Sequence, residues 1–343
     1  MDSVTHIALG AVIGEAKLGR EVGYKAALWG AAISTFPDLD VLLNPFLDSA
    51  HQLRFHRGFT HSFVFLLLAS PVFGLLIQRF HREKYDIGWK PWAWVAFWSL
   101  LSHILIDVTT SYGTQIFEPF SSYPATIDSM FIIDPFYTSP LIAGIIISLL
   151  QKKDSKLRIW VPRVALLVSS LYIMVGLGIK AHVNQVFDAS FKQQYGNYER
   201  LKTIPGPFTN LLWMGYIERN DSIYVSTYSL FDDNYHLNFN GIAKNSNLLE
   251  PWIDDYPADV LNWFSMGYYI MEKSGNELYL HDLRFGRSDF WLSHNADFIW
   301  TNRFIFNEDS TNVVDFDRAI PILDSGVDNR EQIWNRFLGI KPD

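Results

Sequence analysis

Cysteine is absent from all 343 residues, which removes disulfides, thiolate metal ligands and cysteine nucleophiles and leaves the compartment open. Basic residues are in deficit: 28 Lys and Arg stand against 36 Asp and Glu, for a net charge of −8. No basic stripe is therefore available to neutralise phosphates, and nucleic acid is not an expected partner. The amino terminus lacks the basic stretch and small-residue cleavage site of a secretory signal, so MDSVTHIALGAVIG is expected to stay on the mature protein. There is no G-x-S-x-G, no phosphate-cradling glycine loop, no internal repeat and no low-complexity tract. Aromatic residues, by contrast, make up 16% of the chain, and the mean hydropathy of +0.05 is high for a soluble enzyme of this size. Membrane association is the first inference.

The chain changes character near residue 182. Before it, apolar segments recur at 5–16, 24–36, 62–77, 92–108, 131–150 and 164–179. A full crossing needs ~20 mostly apolar residues. The last four meet or approach that length; the first two are short, and a buried or half-inserted hairpin suits them equally. After 182, runs such as SIYVSTYSLF (222–231) and ELYLHDLRF (277–285) alternate aromatic and β-branched residues between Pro, Asn and Asp, which is strand chemistry. The expected fold is mainly α: a polytopic membrane helical bundle of about four to six apolar helices over 1–182, followed by a smaller β-rich extramembrane domain over 183–343.

Orientation follows from the basic residues. Lys17, Arg20 and Lys25 lie between the first two segments, Arg79, Arg82, Lys84 and Lys90 between the third and fourth, and Lys152, Lys153, Lys156, Arg158 and Arg163 between the fifth and sixth. The connection 111–130 has none. If all six segments cross, these turns share the cytoplasmic face and the C-terminal domain faces outward. Arg54 and Arg57 are exceptions on the outer side.

On that topology, seven ionisable residues converge at the outer ends of their segments: His6, Asp38 and Asp40 of FPDLD, His56 and His61 of FHRGFTHS, and His103 and Asp107 of SHILID. A lone histidine on an apolar face is more often a satisfied core residue than a ligand, and an aspartate after proline is most often a turn residue. Ionisable groups in membrane segments are nevertheless rare and usually functional, and seven at one end outweigh the single-residue readings. His103 and Asp107, four apart, stack on one helical face. Pro37 ends a helix so that a loop can aim Asp38 and Asp40 together. His56 is expected in a loop and His61 in the first turn of the next helix, with Gly58 permitting the bend. Imidazole and carboxylate suit zinc, manganese or iron. Seven such groups exceed the needs of one tetrahedral ion, so two or more ions are expected.

The motifs PDLD, HRGFTHS and SHILID, followed by TSYGTQIFEPFSS and FIIDP, resemble the YdjM-like family of membrane-bound metal-dependent hydrolases. The likeness covers about the first 140 residues, with weaker matches at PGPFTNLLWMGYI (205–217) and LRFGR (283–287). It implies a helical integral membrane domain with divalent-metal hydrolase activity. More remotely, the chain is similar to the zinc-dependent phospholipase C and nuclease superfamily; His103 and Asp107 match that group's helical His-x-x-x-Asp pair, whereas His6, Asp38, His56 and His61 match loosely.

The expectation is a membrane-bound hydrolase for phosphoesters of a lipid or lipid-linked substrate. His6, Asp38, Asp40, His56, His61, His103 and Asp107 would hold zinc or a similar ion. Asp38 or Asp40 would accept a proton, and Arg57 would grip a phosphoryl oxygen. Two alternatives are a metal-binding transporter, which needs a polar path to the inner face, and a structural or regulatory membrane protein braced by a closed metal site. Asp134 is read as a partner of a ligating imidazole or as a helix-start residue. Asp128, His51 and His81 are read as loop residues, Glu15 as too far toward the inner end, and His182, His236, His281 and His294 as surface or structural residues of the tail.

Overall fold

All six apolar segments are helical in the computed structural model, which describes residues 1–289, 291, 297–319 and 330–340; His294 lies outside them. The chain forms two compact units, one of residues 1–44 and 55–176 and the other of residues 45–54 and 177–343.

The first unit contains α1 (Ser3–Val22) and α2 (Lys25–Thr35), followed by a 3-10 segment, Pro37–Phe46. After α3 (Ser49–Phe55) and a 3-10 turn, Phe59–His61, come α4 (Phe63–His81), α5 (Trp89–Val108), α6 (Pro135–Leu149) and α7 (Lys156–Tyr195). Starts are set by side-chain caps. Asp2 accepts the Thr5 N–H at 3.1 Å, Ser62 that of Phe65 at 3.0 Å, and Asp134, just before Pro135, that of Phe136 at 3.0 Å, each satisfying an otherwise orphaned amide. Pro37 ends α2, and the chain bends by 46° into the 3-10 segment.

Helices α4, α5 and α7 are long and apolar enough to cross a membrane, and there are four such spans if α2 and its bent 3-10 continuation count as one. The described residues thus offer three or four candidate spans, against the four to six apolar helices expected. The 15 residues of α6 reach ~22 Å, short of a ~30 Å hydrocarbon core. Helix α1 buries His6, Glu15 and ten other residues of its twenty, so it is a core helix of the bundle.

Glycine sets the approach of α1 to α2: a Cβ on Gly10 would lie 2.2 Å from the Gly30 carbonyl oxygen, and one on Gly30 2.0 Å from that of Gly10. At the far end from the aspartate motifs, the basic turns meet as the charge pattern implies. Lys153 Nζ donates to the Glu21 carbonyl at 2.8 Å, Tyr85 to that of Val22 at 3.3 Å, and Lys25 sits over the Tyr85 ring. Glu15 does not stand alone there, because Arg158 Nε donates to it at 2.6 Å in a buried pair.

The second unit contains the C-terminal part of α7 and two four-stranded antiparallel sheets. The first runs β1 (Arg200–Pro205), β2 (Leu212–Arg219), β3 (Ser222–Ser229) and β4 (Asn240–Ala243). After α8 (Tyr256–Ser265) the second runs β5 (Tyr269–Ser274), β6 (Glu277–Asp282), β7 (Thr301–Phe306) and β8 (Val313–Ala319), and α9 (Arg330–Phe337) follows. Asn220 and Asp221, at φ 51° and 53°, make the two-residue left-handed turn that matches the twist of the β2–β3 hairpin. β2 is buried along nearly its whole length: Phe187 and Phe191 of α7 pack with its Trp213 and Ile217, while its Met214 and Tyr216 pack with Ile270 of the second sheet and with Leu283, just after β6.

One segment departs from the expected division at residue 182. Residues 45–54, read from the sequence as part of the membrane domain, belong to the second unit. Ala50 lies in its core with Leu249, Leu261, Leu280 and Phe316, and Leu53 packs against them. The sequence signal is weak there because seven-residue α3 is too short to show an amphipathic period. Arg54, one of the two basic exceptions, stacks over Trp263 at 4.2 Å.

Candidate metal centre

Helix α5 supplies the rigid half of the centre. His103 and Asp107, one turn apart, bring Nε2 and Oδ2 to 3.3 Å, and both side chains are fully buried. The 3-10 segment after Pro37 supplies Asp38, whose Oδ1 lies 3.7 Å from His103 Nε2. The 3-10 turn before α4 supplies His61, whose Nε2 lies 3.4 Å from Asp38 Oδ1 and 3.5 Å from Asp107 Oδ2. His61 thus precedes the helix rather than starting it, because Ser62 takes the extended cap position.

The ligand atoms of Asp38, His61, His103 and Asp107 all lie within 4.8 Å of one another, and the four side chains could hold a metal ion. Two observations fit that reading. His103 Nε2 and Asp107 Oδ2 are buried with no hydrogen-bond partner, an arrangement that costs roughly 1–3 kcal/mol per group unless something else satisfies it. Ligands ~2.0–2.1 Å from a tetrahedral ion lie ~3.3–3.4 Å apart, close to the separations found. Burial also pushes the His61 imidazole down to about 4, the Asp38 carboxylate pulling the other way, so His61 is a neutral donor near pH 7.

The other sequence-predicted residues surround this group. His6 of α1 stacks on His103 with ring centroids 3.8 Å apart, and its Nε2 lies 3.2 Å from Asp107 Oδ1. Asp107 therefore faces two ways: Oδ2 into the four-donor group, Oδ1 toward His6, the Met1 α-amino group and Arg57 Nη2, the last at 3.2 Å. Asp40 is fully engaged elsewhere. Its Oδ1 meets His56 Nδ1 at 2.8 Å, and its Oδ2 accepts the Arg57 N–H at 3.0 Å and lies 3.7 Å from His61 Nδ1. His56 and Asp40 thus form a pair beside His61 and stand outside the four-donor group.

Arg57 takes the left-handed backbone conformation at φ 55°, which costs a non-glycine residue about 1–2 kcal/mol. The turn buries its guanidinium: Nη1 donates to Thr110 Oγ1 at 3.2 Å, the plane covers the Tyr112 ring at 4.7 Å, and Nε is buried without a partner. Thr60, 3.1 Å from His61 Nδ1, is a participant that sequence reasoning missed; a threonine in a turn carries no distinguishing signal.

Asp134 takes the helix-start role of its two readings: Oδ1 caps α6 and Oδ2 accepts the Tyr172 hydroxyl at 2.7 Å. His81 is not a loop residue. It closes α4, buried, with Nε2 accepting the Trp29 indole N–H at 2.9 Å. His281 bridges Thr301 and Glu272 across the second sheet, a structural place.

The family model described as YdjM inner membrane protein matches residues 1–182. Two curated proteins are similar to part of the chain. "Uncharacterized protein YfhP" of Bacillus subtilis (strain 168) is 30% identical over 154 residues, 43% of this chain and 46% of that protein. "Inner membrane protein YbcI" of Escherichia coli (strain K12) is 29% identical over 113 residues, 33% of this chain and 63% of that one. The chain thus covers between about half and two thirds of these relatives. No solved structure matches.

Proposed function

From a chain that belongs to the YdjM inner membrane protein family and gathers four donor side chains, three of them buried, within 4.8 Å of one another, we propose a membrane-bound, divalent-metal-dependent hydrolase of phosphoesters in a lipid or lipid-linked substrate. The observation that carries the reading is the pair of buried, unpartnered donor atoms, His103 Nε2 and Asp107 Oδ2, facing Asp38 and His61.

Asp38, His61, His103 and Asp107 would hold a first ion, with zinc favoured and manganese or iron compatible. A second ion would draw on His6, whose Nδ1 is buried with no hydrogen-bond partner. A divalent ion there supplies Lewis acidity and lowers the pKa of water. The chain's own residues do the rest. Arg57 sets Nη2 3.2 Å from the Asp107 carboxylate and keeps Nε without a partner, and its planar fork suits a phosphoryl oxygen. Asp38, the more exposed aspartate with 19% of its side chain accessible against 0% for Asp40, is the better placed proton acceptor. Asp40 positions His61, His56 and the Arg57 backbone. The positive-inside pattern supports an outer-face location for the site and the C-terminal unit.

Metal content of detergent-purified protein tests the assignment. Wild type and His236→Ala should carry at least one equivalent of a transition metal, and His61→Ala and Asp107→Ala should lose it. Equal content in all four would refute the ligand set. One feature favours a second reading, a bracing ion: two imidazoles and two carboxylates can close a tetrahedral shell without leaving an open position. X-ray absorption showing four protein ligands and no water, together with no turnover of bis-p-nitrophenyl phosphate or phospholipid, would favour it.

A further inference from the structure

The connection between α5 and α6 carries a feature that the metal centre does not use. Residues 111–127 contain one charged residue, Glu118, and no lysine or arginine. The segment is nonetheless firmly built. Thr114 and Ala125 pair in an antiparallel bridge, Gln115 N–H donates to the Arg57 carbonyl at 2.9 Å, the Phe120 N–H to the Phe117 carbonyl at 2.9 Å, and the Phe63 N–H at the start of α4 to the Ile116 carbonyl at 3.0 Å. A loop with its backbone fixed in this way could turn its aromatic rings inward, yet Phe117, Phe120 and Tyr123 are 49, 85 and 62% exposed while Thr114 and Gln115 are buried.

These rings continue an exposed apolar surface. Helix α4 qualifies as a membrane span, with Leu67, Leu68, Val72, Leu75 and Leu76 all exposed along it. At its first turn the Phe63 ring meets Phe117 at 6.3 Å; Phe65 meets Phe59 and Phe36, each at 5.9 Å. The apolar face of the span thus passes without a break into Phe36, Phe59, Phe117 and Phe120, at the end of the bundle that holds the metal-centre residues.

We propose that this rim, with Phe120 at its tip, is immersed in the acyl chains of the leaflet beside the metal centre. Aromatic rings commonly sit at this depth, and Glu118 lies at the headgroup boundary between Phe117 and Phe120. The absence of basic residues excludes attraction to anionic headgroups as the source of binding, so the contact is apolar. Because the rim is hydrogen-bonded to the Arg57 backbone, a lipid lying against it is next to the residue that would grip its phosphate. The immersion itself stands on the membrane family and the exposed rings, and does not depend on hydrolysis.

The cysteine-free chain makes the test direct. Single variants Phe117→Cys and Phe120→Cys carry a nitroxide label in phosphatidylcholine–phosphatidylglycerol vesicles, with Leu68→Cys as the lipid reference and Phe231→Cys, 54% exposed in the second unit, as the comparison outside the span. Collision with oxygen is compared with collision with a water-soluble nickel chelate, and metal content is measured on the same samples. Immersion predicts an oxygen-to-chelate ratio at 117 and 120 like that at 68 and well above that at 231. A ratio like that at 231 would overturn the proposal, as would low access to both reagents, which would mean that protein covers the rim. Absence of metal from the wild-type protein, with a lipid-like ratio at 117 and 120, would instead count against the ligand assignment alone.

Discussion

At the scale of single residues, Arg57 joins the most constraints. It accepts a left-handed backbone, a buried guanidinium and one unpartnered N–H in exchange for a place against Asp107. Lysine has one charged nitrogen and cannot reproduce the fork that reaches both Thr110 and Asp107. Arg57→Lys should therefore retain metal and lower phosphodiester turnover by about 10²-fold, the scale on which a single donor to developing charge acts; an unchanged rate constant would remove Arg57 from the chemistry. His281 offers a pH prediction free of metal. Burial lowers its pKa from the ordinary value despite Glu272, so an unfolded chain binds the proton more readily than the folded one. Stability must then fall as pH drops below ~6.5, the unfolded value, and His281→Gln should shrink the difference in Tm between pH 8 and pH 5.5. What was legible at this scale was whatever obeyed a helical period: His103 and Asp107 announce themselves by spacing. Asp40 and His56 gave no sign of being each other's partners, because loop geometry has no period, and Asp134 could not be assigned as a cap rather than as a partner of an imidazole until its donors were seen.

At the scale of elements, hydropathy located all six helices of the first unit but misplaced their ends. Helix α1 runs beyond residue 16 through Lys17 and Arg20 to Val22, and α7 continues from 179 to Tyr195, in both cases because a helix that runs into polar sequence keeps its hydrogen bonds but loses its hydrophobic signature. The strands at 222–229 and 277–282 were readable from alternation; the order of strands within each sheet was not, since pairing is decided by contacts distant in sequence. The contact of α1 with α2 is the element-scale feature that the site depends on most, because one helix carries His6 and the other leads into Asp38. Gly30→Leu must force the two backbones apart where a Cβ already finds an oxygen at 2.0 Å. Overpacking of this kind costs about 1–3 kcal/mol or more, so the variant should show a lower melting temperature in detergent and reduced metal content, while Gly178→Leu, with open space at the glycine Cβ position, should show neither.

At the scale of the whole molecule, the sequence correctly announced a helical part and a β-rich part but placed their division at a single point. The structure divides the chain at three places, between 44 and 45, 54 and 55, and 176 and 177. Ala50 and Leu53 are core residues of the second unit, and a chain ending at 182 would leave them in water. Such a truncation should be cut by trypsin at Arg54 far faster than the full-length protein, in which that side chain lies on Trp263; equal rates would mean that α3 gains no protection from that core.

The same interlacing bears on descent. A module joined to its neighbour at one point can be gained or lost by one recombination event, but here a short tongue of the first half of the coding sequence is completed only by the second half. Any lineage that sheds or acquires the β-rich part must also rewrite the ten residues between Asn44 and Phe55, a stretch that separates Asp40 from His56. Inheritance of the two parts is therefore tied at the segment that joins two of the site's motifs.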